Sequence, residues 1–273
     1  MRSAPLVALL VAAVLAAPAT AQTPAPAFTA SSITPNTGGG STTGFQIFPG
    51  GQFRATNATV RQLVQAAYDF QFERFQIVGG PAWIDVDRFD VQATPAVDAA
   101  TSERIATPQE IAGRVQALLA DRFNLVMRRE TRLLGRFDLV VARPGVVKQT
   151  AGTCAPPGQS QAAADTRLRC GFSYLPDAGD VQRVVGQSVT IADLARRLQG
   201  SVEAVIVDKT GLTGRYDVTL DYVRPRNLQG QEPGSAGVSL FTAVQEQLGL
   251  RLESARGPVE VIVIDRVEKP TAN

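Results

Sequence analysis

Arg88-Phe89-Asp90-Val91 decides how this chain is built, because close copies of it stand at two other places. It returns as Arg215-Tyr216-Asp217-Val218 and again as Arg136-Phe137-Asp138-Leu139. Upstream of the copies at 88 and 215, the same helix opening is found at Thr59-Val-Arg-Gln-Leu63 and at Thr190-Ile-Ala-Asp-Leu194. Repetition of this kind predicts a duplicated architecture, and it leaves the chemistry open.

Two amphipathic helices are predicted in each half of the chain. The first begins at a threonine with a capping partner three residues later, and it is predicted over Val60–Phe70 and again over Ile191–Leu198. The second is predicted over Pro108–Asp121, where proline suits the first helical position, and over Leu240–Leu248, where Gly249 ends it. Short alternating stretches before, between and after these helices predict strands in pairs.

Glycine-containing turns are predicted to join those strands. Gly135 and Gly257-Pro258 mark the turn of the closing strand pair in each half, and 210–214 joins an earlier pair. Closely spaced strands favour antiparallel sheets, because parallel strands need longer crossovers. The predicted fold is therefore α+β. It consists of two tandem related modules in ββαββαββ order, each an antiparallel sheet with two helices packed on one face. A doubly wound parallel sheet is the weaker alternative.

The N-terminus has the features of a secretory signal. Arg2 precedes a short apolar stretch, Leu6–Leu15, and Ala19-Thr20-Ala21 is a small-residue cleavage site, so the mature chain is predicted to begin at Gln22. A retained anchor helix is the alternative, for which the apolar stretch is short. The predicted location is periplasmic or secreted, with no membrane insertion of the mature chain.

Loop-rich stretches set the predicted domain boundaries. Five segments follow from them: a signal peptide at 1–21, an N-terminal linker and first strand at 22–44, module 1 at 45–142, a linker at 143–169 and module 2 at 170–269. The chain contains two cysteines, Cys154 and Cys170, and an even count in an exported protein favours a disulfide. Two free thiols are the alternative.

Composition excludes several classes of function. The 27 basic and 25 acidic side chains nearly balance, and the absence of a basic run argues against a nucleic-acid partner. The chain has no histidine, which excludes Ser-His-Asp and Cys-His catalysis and histidine metal sites. No cofactor or metal is predicted. A carboxylate pair remains open, since Asp85, Asp87 and Asp90 lie close together in sequence.

Four residues are predicted to bind a ligand: Trp83, Asp85, Arg88 and Arg215. On a strand, the arginine and aspartate of the repeated triplet share one face, which fits either a charged binding strip or a solvated ion pair beside a buried aromatic. Trp83 follows a Gly-Gly-Pro turn, where it either stacks on a sugar, a peptide or an aromatic group or covers the sheet edge. The residues favour a structural role at both places.

The favoured function is therefore an exported, non-catalytic binding or interaction module. Its expected partner is an unknown protein, peptide or glycan of the cell envelope. Two alternatives stay open: a carboxylate-dependent hydrolase acting on cell-envelope polymers, and a partner domain of an envelope sensor or transport complex that docks by its sheet edge.

Six blocks of the sequence, in this order, resemble a known family of exported bacterial proteins. The blocks are 53–63, 79–90, 118–123, 207–217, 247–250 and 263–270. The family is the "soil-associated" one, a domain of unknown function expanded in Acidobacteria and their relatives. The resemblance implies secretion and, in some members, a neighbouring membrane metallopeptidase of the BlaR1 kind. It implies no catalytic or binding residues.

Overall fold

The computed structural model describes residues 27–40, 42–96, 106–151, 154, 170–173, 181–223 and 237–270. The predicted signal peptide and most of the 143–169 linker lie outside these ranges. Up to residue 141 the elements are β1 (Phe28–Pro35), β2 (Gly44–Ile47), β3 (Phe53–Thr59), α1 (Val60–Ala67), β4 (Ile77–Gly79), α2 (Trp83–Val86), β5 (Arg88–Pro95), α3 (Pro108–Phe123) and β6 (Val126–Val141). After it they are β7 (Lys148–Gln149), β8 (Gly171–Ser173), β9 (Val181–Val189), α4 (Ile191–Val202), β10 (Ile206–Asp208), β11 (Tyr216–Val223), α5 (Leu240–Leu248) and β12 (Leu250–Arg266).

Two four-stranded antiparallel sheets form the outer parts of the molecule. The first has the strand order β1-β5-β3-β2, and the second has the order β7-β11-β9-β8. Alternate residues of the longer strands face the interior, as the period of two requires; in β5 these are Phe89, Val91 and Ala93. The predicted mixture of helices and antiparallel sheets is confirmed.

Reciprocal caps begin three of the helices. The threonine side chain accepts a hydrogen bond from a backbone N–H of the first turn, and the threonine backbone N–H donates to the side chain of that same residue. The pairs are Thr59 with Gln62 in α1, Thr107 with Glu110 in α3, and Thr190 with Asp193 in α4. α1 ends at Ala67, short of the predicted Phe70, because Asp69 and Phe70 take left-handed φ angles of 51° and 52°. None of the helices in the described ranges is long and apolar enough to cross a bilayer.

A third sheet, with the order β10-β6-β12-β4, joins the two parts of the chain. β6 and β12 pair antiparallel over nearly their whole length, from Leu250 opposite Val141 to Arg266 opposite Val126. β4 runs parallel to β12, and β10 runs parallel to β6. Each short strand therefore pairs with the long strand that the other part of the chain provides.

The predicted glycine turns at Gly135 and Gly257-Pro258 are wrong. Each glycine lies inside one continuous strand, Gly135 opposite Arg256 and Gly257 opposite Leu134. A β-carbon on Gly257 would lie 2.5 Å from Nη1 of Arg136, so this glycine lets the arginine side chain cross the sheet. Each half ends in one long strand in place of a strand pair, and the ββαββαββ order is not observed.

The predicted turn at 210–214 also has a different role. β10 and β11 lie in different sheets, so this segment crosses from the central sheet to an outer one and does not close a hairpin. The same holds for β4 and β5 in the first half. The positions of these strands along the chain were predicted correctly, but their pairing partners were predicted wrongly.

Both long strands contribute to more than one hydrophobic core. Ile262 and Ile264 of β12 belong to the core of the first half, which β3, α1, β5 and α3 enclose. Leu250 and Leu252 of the same strand belong to the core of the second half, together with Leu139 of β6. Because burying each such side chain stabilises a protein by about 1.5–3 kcal/mol, the long strands tie the two cores together.

Cys154 and Cys170 form the predicted disulfide, and their Cα atoms lie 5.1 Å apart. The bond closes a loop whose interior, residues 155–169, lies outside the described residues. A closed loop of this size is expected to stabilise the fold by roughly 2–3 kcal/mol, chiefly by restricting the unfolded chain.

Candidate functional site

The first copy of the repeated triplet holds an irregular residue in the neighbouring strand. Asn57 of β3 has a left-handed φ of 55°, and the pairing register shifts at this point. Asp90 accepts a hydrogen bond from the Asn57 backbone N–H at 2.8 Å, and Arg88 donates one to its carbonyl at 2.9 Å. The two charged side chains therefore fix the backbone of one buried residue from both sides.

The second copy makes the same arrangement in the other outer sheet. Ser188 of β9 has a φ of 53°. Asp217 accepts from its backbone N–H at 2.9 Å, and Arg215 donates to its carbonyl at 2.7 Å. Thr150 donates a further hydrogen bond to Asp217 at 2.8 Å. We call each of these arrangements a bulge clamp.

The third copy lacks a bulge. Arg136 pairs with Asp138 at 2.9 Å along the same strand; the sequence predicted such a pair as solvated, whereas these side chains are only 13% and 22% exposed. In all three copies the aromatic side chain points to the interior, where Phe89 and Tyr216 are buried and Phe137 is half-buried. The repeated aromatics thus fill the cores, while the charged pairs at 88–90 and 215–217 hold backbone.

Trp83 and Asp85 lie on the short helix α2. Asp85 receives two hydrogen bonds from Arg61, at 2.7 and 2.8 Å, and one from Arg74 at 3.0 Å. The Arg61 guanidinium holds the pKa of the Asp85 carboxyl below its usual value, and the positive charge of Arg74 acts in the same direction. Lys269 lies over the half-buried Trp83 ring, with 5.5 Å between its Nζ and the ring centroid.

A concavity with a volume of about 710 Å³ lies beside this helix. We call it the tail cavity, because residues 269–270 form one wall. The loop after β1, at 35–40, forms a second wall, and residues 86–89 at the start of β5 form the third. Lys269 pairs with Asp87 at the side of the cavity, with 2.6 Å between Nζ and Oδ2.

Hydrogen bonds fix the walls of the tail cavity. Asn36 donates its side-chain amide to both carboxylate oxygens of Asp90, at 2.9 and 3.1 Å, and its backbone N–H to the carbonyl of Arg88. Gly38 donates to the Asn36 side chain in turn. The first bulge clamp therefore also orients the loop that closes the cavity.

A second concavity, of about 540 Å³, opens where the first half meets α4. We call it the α4 cleft; its lining residues are Arg61, Glu73, Arg74, Phe75, Asp85, Gly200 and Glu203. The Glu73 carboxylate lies over Gly200, where a β-carbon would approach it to 3.6 Å. Burial raises the pKa of Glu73, and the positive charge of Arg197 opposes this shift in part.

The four predicted ligand-binding residues do not share one site. Arg88 lines the tail cavity. Trp83 does not line it but contacts Lys269, which does. Asp85 lines the α4 cleft, whereas Arg215 belongs to the clamp of the other outer sheet. In the described part of the chain, no three acidic or cysteine side chains come together in a way that would hold a metal ion.

Two residues with prominent positions were missed. Lys269 is one of three lysines in the chain, and its place just after a long apolar strand was the available signal. Glu73 carries no local signal, because its burial arises only when α4 packs near it.

The two shifted carboxyls predict opposite effects of pH. The folded protein holds the Glu73 proton more tightly than the unfolded chain, so stability is lost as the pH rises from the ordinary glutamate pKa through the raised one. Glu73→Gln is therefore expected to raise the melting temperature at neutral pH. The lowered pKa of Asp85 gives stability that is present above its ordinary value and lost as the pH falls, so Asp85→Asn is expected to lower the melting temperature at neutral pH.

Thermal unfolding of the parent and both variants between about pH 3 and about pH 8 measures these effects. The two variants are each other's control, because both exchange a carboxyl for an amide at the same cleft. Parallel shifts of both variants at every pH would contradict the assignment.

Comparison with known proteins gives one match. The family model described as "Protein of unknown function (DUF3738)" matches residues 61–267. The matched segment runs from α1 to just past the end of β12, and it includes every residue that lines the α4 cleft. No curated protein and no solved structure matches the chain.

Proposed function

The chain belongs to the DUF3738 family of proteins of unknown function, and from this premise we propose that it is an exported, non-catalytic binding module. Export is supported by the predicted signal peptide and by the Cys154–Cys170 disulfide, since such bonds persist mainly in oxidising compartments. The envelope setting that the sequence resemblance implies is part of this proposal.

The observation that carries the binding proposal is the tail cavity. Its volume of about 710 Å³ lies within the range of small-molecule sites, about 300–1,000 Å³. Asn36 and the first bulge clamp hold the walls of the cavity by hydrogen bonds. Ligand binding therefore requires little further ordering of the surrounding chain.

The lining of the tail cavity favours a ligand with an apolar body and a carboxylate. Pro270 and the exposed Val86 supply apolar surface, while Lys269 and Asp87 supply an ion pair at one side. A ligand carboxylate that replaces Asp87 on Lys269 keeps the ammonium paired. Peptide and glycan fragments of the cell envelope are the partners that we propose.

Trp83 provides the test, because it is the only tryptophan and Lys269 lies over its ring. The mature chain is titrated with cell-wall muropeptides, short peptides and acidic oligosaccharides while the tryptophan emission is recorded. We expect a saturable change that Lys269→Gln weakens about tenfold, the equivalent of about 1.4 kcal/mol. Lys209→Gln is the matched control, since Lys209 lines neither the tail cavity nor the α4 cleft. Constant emission across the whole panel would reject small-ligand binding.

A second candidate function is carboxylate-dependent hydrolysis in the α4 cleft. It is favoured by one observation: Glu73 and Asp85 line the same cleft and their pKa values are shifted in opposite directions. Release of dye from labelled cell-wall polymer by the parent, lost in Glu73→Gln, would support it. An inactive parent, or equal release by the variant, would reject it.

We also propose that the two parts of the chain are tandem copies of one ancestral module. The shared strand order of the outer sheets and the two bulge clamps support this origin. The expected boundaries of the modules remain residues 45–142 and 170–269.

A further inference from the structure

β6 has an outer edge that is open over most of its length. β10 pairs only with Phe137–Leu139, and within the described ranges no other strand pairs with this side of β6. The Phe137 N–H donates to the carbonyl of Val205, and the Leu139 carbonyl accepts from Lys209. Odd-numbered residues of β6 therefore direct their backbone groups outward.

By the same alternation, four residues of β6 direct their backbone N–H and carbonyl groups away from β12: Arg129, Thr131, Leu133 and Gly135. The register between β6 and β12 is unbroken over this stretch, so the alternation holds along it. These residues form a row of donors and acceptors that is ready to pair with an added strand.

The corresponding edge of β12 is blocked. Pro258 stands opposite Leu133 and has no N–H, and its carbonyl accepts from Arg136 at 3.4 Å. The carbonyl of Glu260 accepts from the buried Gln76 at 3.0 Å. A proline, and side chains that hydrogen-bond to backbone carbonyls, both prevent a strand edge from pairing with another strand. Over this stretch they occur on β12.

The open edge is rich in arginine and partly apolar, and two of its arginines pair with carboxylates of β12, Arg128 with Asp265 and Arg129 with Glu260. Between residues 128 and 136 it carries four arginines and one glutamate. Leu133 is 68% exposed and adds apolar surface to this edge. Glu130 bridges Arg128 and Arg132 on one face of β6, and these half-exposed pairs exchange partners at little cost.

We propose that the outer edge of β6 between Arg129 and Gly135 binds an extended, acidic segment of a partner protein by β-strand addition. Main-chain hydrogen bonds to Thr131 and Leu133 hold the added strand. Its acidic side chains lie opposite Arg128 and Arg132, and its apolar side chains cover Leu133.

A second copy of the chain is a poorer occupant of the same edge. Antiparallel self-pairing centred on Arg132 places that residue opposite itself and Arg128 opposite Arg136, and like charges directly opposite each other destabilise a strand pair. Centring on Thr131 places Glu130 opposite Arg132 and still crowds eight arginines against two glutamates. Because Arg128 and Arg132 share the single carboxylate of Glu130, an acidic strand suits this edge better than a second copy of the chain.

The test uses a fluorescein-labelled peptide of alternating glutamate and valine, with a lysine-valine peptide as its twin. Anisotropy on the full mature chain is expected to rise with the acidic peptide alone. Thr131→Pro removes an outward N–H that the β6–β12 ladder does not use, so the fold is retained and binding falls at least about tenfold. Arg132→Glu is expected to give a similar loss of binding without changing the backbone. Arg251→Glu is the control, since Arg251 belongs to a comparable ion pair elsewhere on the surface, and it is expected to leave binding unchanged.

Three results would overturn the proposal. One is the absence of binding by the acidic peptide, and another is equal binding of both peptides. The third is a concentration-dependent dimer of the parent that Thr131→Pro dissociates, which would assign the edge to a second copy. Circular dichroism of each variant confirms that a lost signal does not come from unfolding.

Discussion

Phe89→Ala is expected to lower the free energy of unfolding by about 3–5 kcal/mol. The ring is buried in the first core and meets Phe123 edge to face, with 5.5 Å between the ring centroids. Phe123 is fully buried, so the surrounding side chains have little freedom to fill the space that the alanine leaves. Urea unfolding followed by circular dichroism measures the loss.

The chain contains its own control for this substitution. Phe137 occupies the same place in the third copy of the triplet but is only half-buried, where it contacts Phe241. Phe137→Ala is expected to cost about 1–2 kcal/mol, because less apolar surface is returned to water. Equal losses for the two variants would contradict the view that the repeated aromatics serve chiefly as core.

Asp217→Ala is expected to lower the free energy of unfolding by about 2–3 kcal/mol. The substitution leaves the backbone N–H of the buried Ser188 without its acceptor and removes the partner of the Thr150 hydroxyl. Ser188 also keeps a left-handed backbone that the clamp holds in place. Asp217→Asn retains an acceptor oxygen and is expected to lose less.

Asp138 in the third copy is the matched control. Its carboxylate holds no bulge, and without it Arg136 keeps a hydrogen bond to the Pro258 carbonyl, so Asp138→Ala is expected to cost about 1–1.5 kcal/mol. The difference between the two aspartates measures the contribution of the clamp to stability. A loss at Asp138 as large as that at Asp217 would show that the triplet is stabilised by its ion pair alone.

The helices were predictable because their signals are local. Thr59 with Gln62 and Thr190 with Asp193 give each helix a start that does not depend on the rest of the fold. The strand partners were not predictable in this way. A glycine such as Gly135 or Gly257 gives the same local signal in a turn as in a strand where a neighbouring side chain passes close by. Only the partner strand, which is distant in sequence, distinguishes the two cases.

The site was predictable only in part, for a related reason. The triplet repeat identified Arg88 and Arg215 as residues with a shared task, and the task is to hold the backbone of Asn57 and Ser188. Those two bulge residues differ in type, so the repeat did not extend to them. Cavities form where segments far apart in sequence meet, as Lys269 and Trp83 do, and no local pattern records such a meeting.

The exchange of the short strands β4 and β10 has a consequence for how the protein matures. Ile77 finds its neighbour Ile262 only after the whole intervening segment, residues 78–261, has left the ribosome. A nascent N-terminal fragment cannot complete the central sheet, and contacts this distant along the chain slow folding. For the export that we propose, that delay is useful, since translocation requires a chain that has not yet folded, and the central sheet closes after β12 arrives.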